Sequence, residues 1–198
     1  TTGSGAWALT VDWQSYHWTA LRALFSVLAE SGNRKDEVAK ALAKTPFRKG
    51  RFTLASLGFK VGGAPLSGWP TAAQLWSMGP GDGIWLKHGV SKNDPVGRWF
   101  AATPTFLPWR ASGRCACRAL VAMLTHVDAT AQEHSLGSTP LVGPSCGAEF
   151  THSQVDRAFF LLLERGGGVP RASLTDYSVH SFRIFLCCAL FNADCPRA

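Results

Sequence analysis

The sequence predicts a mainly α domain with a small antiparallel β-sheet of hairpin type, an α+β class. Three observations carry this. Apolar residues recur with helical spacing in 16–30, 117–129 and 151–165, whereas 51–61, 81–90 and 98–108 alternate as strands do. The β-like stretches all lie in the first 110 residues, close enough to pair as hairpins. With 46% hydrophobic and 17% charged residues over 198 positions, the chain can bury one real core.

In order along the chain, the first helix covers residues 16–30 (YHWTALRALFSVLAE) and breaks at Ser31-Gly32-Asn33. A second short helix follows over RKDEVAKAL. RFTLASLGFKV (51–61) reads as a strand, GGAPLSGWP as a loop and 71–78 as a short helix. GDGIWLKHGV (81–90) and RWFAATPTFLP (98–108) are β-like, joined by SKNDPVG, whose Asn, Asp, Pro and Gly form turns. CRALVAMLTHVDA (117–129) is helical. Thr151-His-Ser-Gln154 is a capping box that opens a helix to about Arg165, stopped by Gly166-Gly167-Gly168. A loop then leads to YSVHSFRIFLCCAL (177–190), a helix that Ser178 can cap and whose Phe182, Ile184, Phe185, Leu186, Ala189 and Leu190 supply a buried surface. No repeat, low-complexity stretch or interdomain linker interrupts this order.

Composition narrows the function. No run of about 20 apolar residues is present, so no membrane partner is expected. The first residues lack a basic segment followed by an apolar one, which argues against a signal peptide. The net charge of +7 favours a polyanionic partner, although the basic residues are dispersed and the densest group, FRKGR at 47–51, reads as a solvated turn rather than a nucleic-acid patch. The six cysteines form no C-x-x-C pair. Zinc spacings are missing around Cys115-Ala116-Cys117, and reduced packing thiols in an intracellular protein are expected.

Three places hold residues that can carry chemistry. His180 and Arg183, three apart, share one face at the start of an otherwise apolar helix. Two readings stand: an Arg that snorkels or pairs with a carboxylate, or an anion site of guanidinium, imidazole and free helix-start N–H groups. Arg34 opens the second helix with Glu37 three residues on, either a surface pair or part of a site. Lys92 enters the turn of the β-hairpin, where a solvated lysine is the ordinary outcome.

Read together, these motifs resemble the catalytic domain of the tyrosine recombinases (the phage-integrase family), of the kind carried by mobile elements. Gly32-Asn33-Arg34-Lys35-Asp36-Glu37 fits the family's Gly-x-Arg-x-x-Glu pattern after a helix break. Ser91-Lys92-Asn93-Asp94-Pro95-Val96-Gly97 is similar to its Ser-Lys-x-Asp-x-x-Gly hairpin. HSFR (180–183) matches its His-x-x-Arg at the start of a buried helix. Thr139-Pro140-Leu141, followed by the capped helix at Thr151, sits where the family has a Pro-Leu-Phe stretch and its next helix. The order is kept across nearly the whole chain, so the resemblance implies that 1–198 is one partial recombinase catalytic domain.

The resemblance implies a metal-free and cofactor-free reaction on double-stranded DNA, with other recombinase protomers as further candidate partners and an intracellular location, nuclear in a eukaryote. A Tyr hydroxyl attacks the phosphodiester, leaving a 3′-phosphotyrosine and a free 5′-hydroxyl, and a second strand reverses the step. By this likeness Arg34 and Arg183 clamp the non-bridging oxygens, Lys92 protonates the leaving oxygen, and His180 holds the phosphate or exchanges protons with the nucleophile. Planar, always-charged guanidinium groups suit such a task. The basic residues Lys35, Lys87 and Arg98 are assigned to DNA binding.

The sequence departs from the family in three respects. Asn33 replaces an apolar residue, the stretch from Arg34 to Lys92 is long, which implies an insertion near 44–80, and the nucleophilic Tyr is expected beyond the His-x-x-Arg helix. The tyrosines present are Tyr16 and Tyr177, with Tyr177 expected to pack. The amino-terminal DNA-clamping domain and the segment carrying the nucleophile are therefore expected to be missing from these residues. A non-catalytic DNA-binding remnant that keeps the phosphate pocket is the alternative.

Overall fold

The structure is a computed structural model that describes residues 15–44, 51–89, 103–127, 135–182, 184 and 188. It is an α+β fold whose strands form a single antiparallel sheet.

Helix α1 (Tyr16–Ser31) runs into Gly32, whose φ of 65° is the left-handed conformation that glycine adopts without strain. The Gly32 N–H closes the helix on the Leu28 carbonyl at 3.1 Å. From Thr19 to Ala29 helix α1 is buried nearly all round, Arg22 excepted, and it packs against α4 (Ala116–Leu124), whose Leu120, Met123 and Leu124 are buried in the same core. At the α1–α4 junction the buried Glu30 carboxylate accepts the Ala116 N–H at 2.9 Å, satisfying a free donor of α4's first turn.

Helix α2 (Lys35–Val38) is shorter than the predicted RKDEVAKAL helix. The chain turns extended at Ala39, because Lys40 pairs with residues around Thr151: its N–H donates to the Phe150 carbonyl at 2.9 Å, and its carbonyl accepts the His152 N–H at 2.8 Å. A tertiary ladder overrides helix propensity there. The predicted 51–61 strand is likewise divided. Phe52 and Leu54 bond to residues 139–141, Leu54–Ser56 forms a 3₁₀ turn, and only Leu57–Val61 is β1.

The stretch predicted as a loop after 61 contains a strand, β2 (Ala64–Leu66). Val61 pairs with Ala64 across Gly62 and Gly63, whose φ values of 61° and 81° make the two-residue turn whose twist suits a hairpin. Helix α3 (Ala72–Ser77) follows, with a Thr71/Gln74 capping box. Strands β3 (Gly83–Leu86) and β4 (Thr105–Pro108) complete a sheet of order β2-β1-β3-β4. The sheet's inner face, with Phe59, Ile84, Leu86 and Leu107, joins the helices in one core that also holds Leu141 and Phe150.

Helix α5 (His152–Arg165) carries the predicted Thr151/Gln154 box, with the Gln154 N–H on Thr151 Oγ1 at 3.3 Å. It ends at Gly166, and a 3₁₀ helix, Arg171–Asp176, then occupies part of the predicted loop. The described helical residues of the last segment begin at Ser181. The Ser178 carbonyl accepts the Ser181 N–H at 2.9 Å, so the helix starts later than Ser178 and His180 stands just before it. Phe182 packs between Phe25 and Phe159, but Ile184, predicted as core, is 54% exposed. No described helix is long and apolar enough to cross a membrane.

Candidate functional site

The break after α1 and the turn before the last helix meet. Asn33, Arg34, Lys35, Asp36, Ser178, Val179 and His180 line an open cleft of about 270 Å³. Two local devices hold its first wall. The Arg34 N–H donates to Glu37 Oε2 at 3.0 Å, and the Glu37 N–H donates back to the Arg34 carbonyl at 3.0 Å, which fixes the start of α2. Asn33 Nδ2 donates to Ser31 Oγ at 2.8 Å. The second wall is anchored by Val179, which is buried in the core between two cleft residues. His180 is exposed beside it, and its carbonyl accepts the Ile184 N–H at 3.3 Å.

Ion pairs sort the charges of the cleft. Lys35 Nζ lies 2.8 Å from both carboxylate oxygens of Asp156 on α5, so its charge is engaged within the fold. Asp36 Oδ1 lies 2.9 Å from His152 Nε2. Arg34 is half-buried, and among the described residues its guanidinium makes no ion pair or hydrogen bond. The cleft thus presents a guanidinium and an imidazole, both donors suited to an anion, while the exposed Asp36 carboxylate is directed towards His152.

The other predicted site residues fall elsewhere. Lys87 is exposed just past β3 and does not line the cleft. Lys92, Arg98 and Arg183 lie outside the described residues, as do Cys187 and the SKNDPVG turn. Two residues past β3, the His88 ring lies against Phe52 and its Nε2 is 2.8 Å from Thr105 Oγ1. Burial lowers the His88 pKa, and the nearby Glu37 carboxylate pushes partly back. Asn33 and Ser178 were not singled out as site residues in the sequence; their adjacency to Arg34 and to HSFR was the available signal.

Tyr177, expected to pack, is 41% exposed next to Ser178 of the cleft. Tyr16 differs. Burial, with a smaller push from Cys146, raises its phenol to about 12, which makes its oxyanion inaccessible at neutral pH. Cys115 caps α4, its sulfur accepting the Arg118 N–H at 3.4 Å, and burial raises the Cys117 thiol to about 12. Among the described residues no group of three or more His, Cys, Asp or Glu is placed to hold a metal ion. No protein-family model, curated protein or solved structure matches this chain.

Proposed function

We propose that the cleft binds a phosphodiester of double-stranded DNA and that the chain is the phosphate-handling part of a site-specific recombinase of the tyrosine-recombinase type. The observation that carries this reading is the meeting of Arg34 and His180, from opposite ends of the sequence, in one cleft where Lys35 is already paired with Asp156. A planar fork and an imidazole can grip adjacent phosphate oxygens.

In this reading Arg34 and Arg183 neutralise charge growing on the non-bridging oxygens, Lys92 delivers a proton to the leaving 5′-oxygen, and His180 holds the phosphate or exchanges a proton with the attacking hydroxyl. A tyrosine supplies that hydroxyl in a complete enzyme. A second reading is a DNA-binding remnant that keeps the phosphate pocket without strand cleavage. Tyr177 is exposed beside the cleft and is the residue that discriminates between the two.

The binding test is fluorescence anisotropy with a labelled duplex. Binding is expected to weaken steeply with salt, and Arg34→Ala and His180→Ala are each expected to reduce it, Arg34→Ala the more, by about tenfold or greater. Undiminished duplex binding by the Arg34→Ala, His180→Ala double variant would remove the cleft from any role in DNA recognition. Cleavage is tested separately with a nicked suicide duplex and denaturing electrophoresis. No covalent adduct is expected, and an adduct lost in Tyr177→Phe would make Tyr177 the nucleophile and overturn the remnant reading.

A further inference from the structure

The sheet has a second face that the core does not use. Strand alternation places Gly58, Lys60, Gly83, Trp85, Phe106 and Pro108 on it, opposite the buried Phe59, Ile84, Leu86 and Leu107. Trp85 and Phe106 are cross-strand partners, with ring centroids 5.2 Å apart and planes tilted by 45°. Each lies over a glycine. A Cβ at Gly58 would stand 3.6 Å from Trp85 Cβ and 3.7 Å from its Cε3, and a Cβ at Gly83 would collide with the Phe106 ring. Two glycines thus let the rings settle against the backbone, with Phe106 38% exposed and Trp85 half-buried beside it.

The charge on this face has one sign. Lys60 lies on it, and the Lys87 stem crosses it, with Cε 3.5 Å from the position of a Gly58 Cβ. The nearest acid in these strands and their flanks, Asp82, is buried, its two carboxylate oxygens accepting the Gly63 and Gly79 N–H groups at 2.9 and 3.0 Å. Among the described residues of the sheet, no carboxylate therefore offsets the two lysines.

We propose that this face binds single-stranded nucleic acid, unpaired bases stacking on Trp85 and Phe106 while Lys60 and Lys87 hold the backbone. Aromatic rings between cations suit such a ligand because every base has a π-face and every linkage a negative charge. A duplex keeps its base faces stacked internally and offers them nothing, so this surface selects unpaired strands. The proposal is independent of the cleft, which would take a phosphate of duplex DNA.

The test is anisotropy with a fluorescein-labelled oligothymidine of about 12 nucleotides, a length within the range that small single-strand sites cover. A duplex of the same length is run beside it. Trp85→Thr with Phe106→Thr is expected to weaken oligothymidine binding by about tenfold or more, with duplex binding changed less than about twofold. Lys60→Glu with Lys87→Glu, which leaves the rings and the core in place, is expected to weaken oligothymidine binding and flatten its salt dependence. The proposal fails if the wild-type chain binds oligothymidine no better than the lysine variant does. It fails equally if both variants lose single-strand and duplex binding in the same proportion. A wild-type dimer in light scattering that Phe106→Thr converts to monomer would give the face to a second copy of the chain and overturn it.

Discussion

Arg51 and Arg34 stand close in the sequence and live in opposite environments. Arg51 is the last residue of the FRKGR cluster read as a solvated turn, yet its side chain is only 6% exposed, and Nη1 meets Glu149 Oε1 at 2.6 Å, with the Glu149 side chain 7% exposed. Arg34 is half-buried at the rim of a cleft and, among the described residues, lacks an ion-pair partner. One guanidinium is consumed by the fold, and the other is the one we propose binds a phosphate. Burial together with pairing, and not residue type, separates a structural arginine from a binding one.

The largest expected effect breaks the comparison on its structural side. Glu149→Ala leaves the Arg51 charge buried without its partner, and breaking such a pair typically costs about 3–5 kcal/mol. Urea unfolding should show this as a large drop in midpoint. The double replacement Arg51→Met with Glu149→Leu is expected to recover most of the loss, because it removes both charges and their desolvation together. Equal destabilisation by the single and double variants would mean that the pair fixes the chain path and is not merely tolerated.

Arg34→Ala is the reciprocal case. It is expected to shift stability by less than about 0.5 kcal/mol, as surface changes usually do, while carrying the loss of duplex binding described above. A large fall in unfolding midpoint for Arg34→Ala would show that its guanidinium is a structural group like that of Arg51, and the comparison would collapse.

How much of this was legible in the sequence depended on how local each signal was. Helices α1, α3, α4 and α5 were legible because periodicity and caps such as Thr151/Gln154 act within a few residues. The truncation of α2 was not, since a ladder between Lys40 and Thr151, over a hundred residues away, decides it. Strand β2 was missed although Gly62-Gly63 is a hairpin turn signal; the short, Pro-containing strand beyond it has little period to read. In the site, Arg34 and His180 were recognised by motif, and their shared cleft rests on the packing of Val179, which the pattern did not show. That Lys35 is engaged by Asp156 could not be read either, because ion pairs between distant elements leave no spacing in the sequence.

Lys35 gives the comparison an intermediate case. Its pair with Asp156 is partly exposed, at 26% and 37%, and such pairs contribute at most about 1 kcal/mol. A double-mutant cycle with Lys35→Gln and Asp156→Asn should therefore return a small coupling that shrinks in high salt. The sharper consequence concerns DNA: Lys35→Gln is expected to affect duplex binding far less than Arg34→Ala. An equal loss would mean that Lys35 leaves Asp156 when DNA arrives.

The smallest effect concerns His88, at the root of the hairpin that carries Lys92. Burial lowers its pKa from the ordinary 6.5, with Glu37 opposing. Above pH 6.5 the imidazole is neutral in both the folded and unfolded chains and contributes no pH dependence. As pH falls through 6.5 the unfolded chain takes up the proton first, so the folded state loses stability until the pH passes below the folded pKa. Melting temperature should thus decline from about pH 7 towards about pH 5, and His88→Gln should remove part of that decline. Glu37→Gln should deepen it, because the carboxylate that favours the charged imidazole is gone. Parallel melting curves for wild type and His88→Gln across this range would show that the ring is hydrated in solution, and that the contacts with Phe52 and Thr105 do not keep it from water.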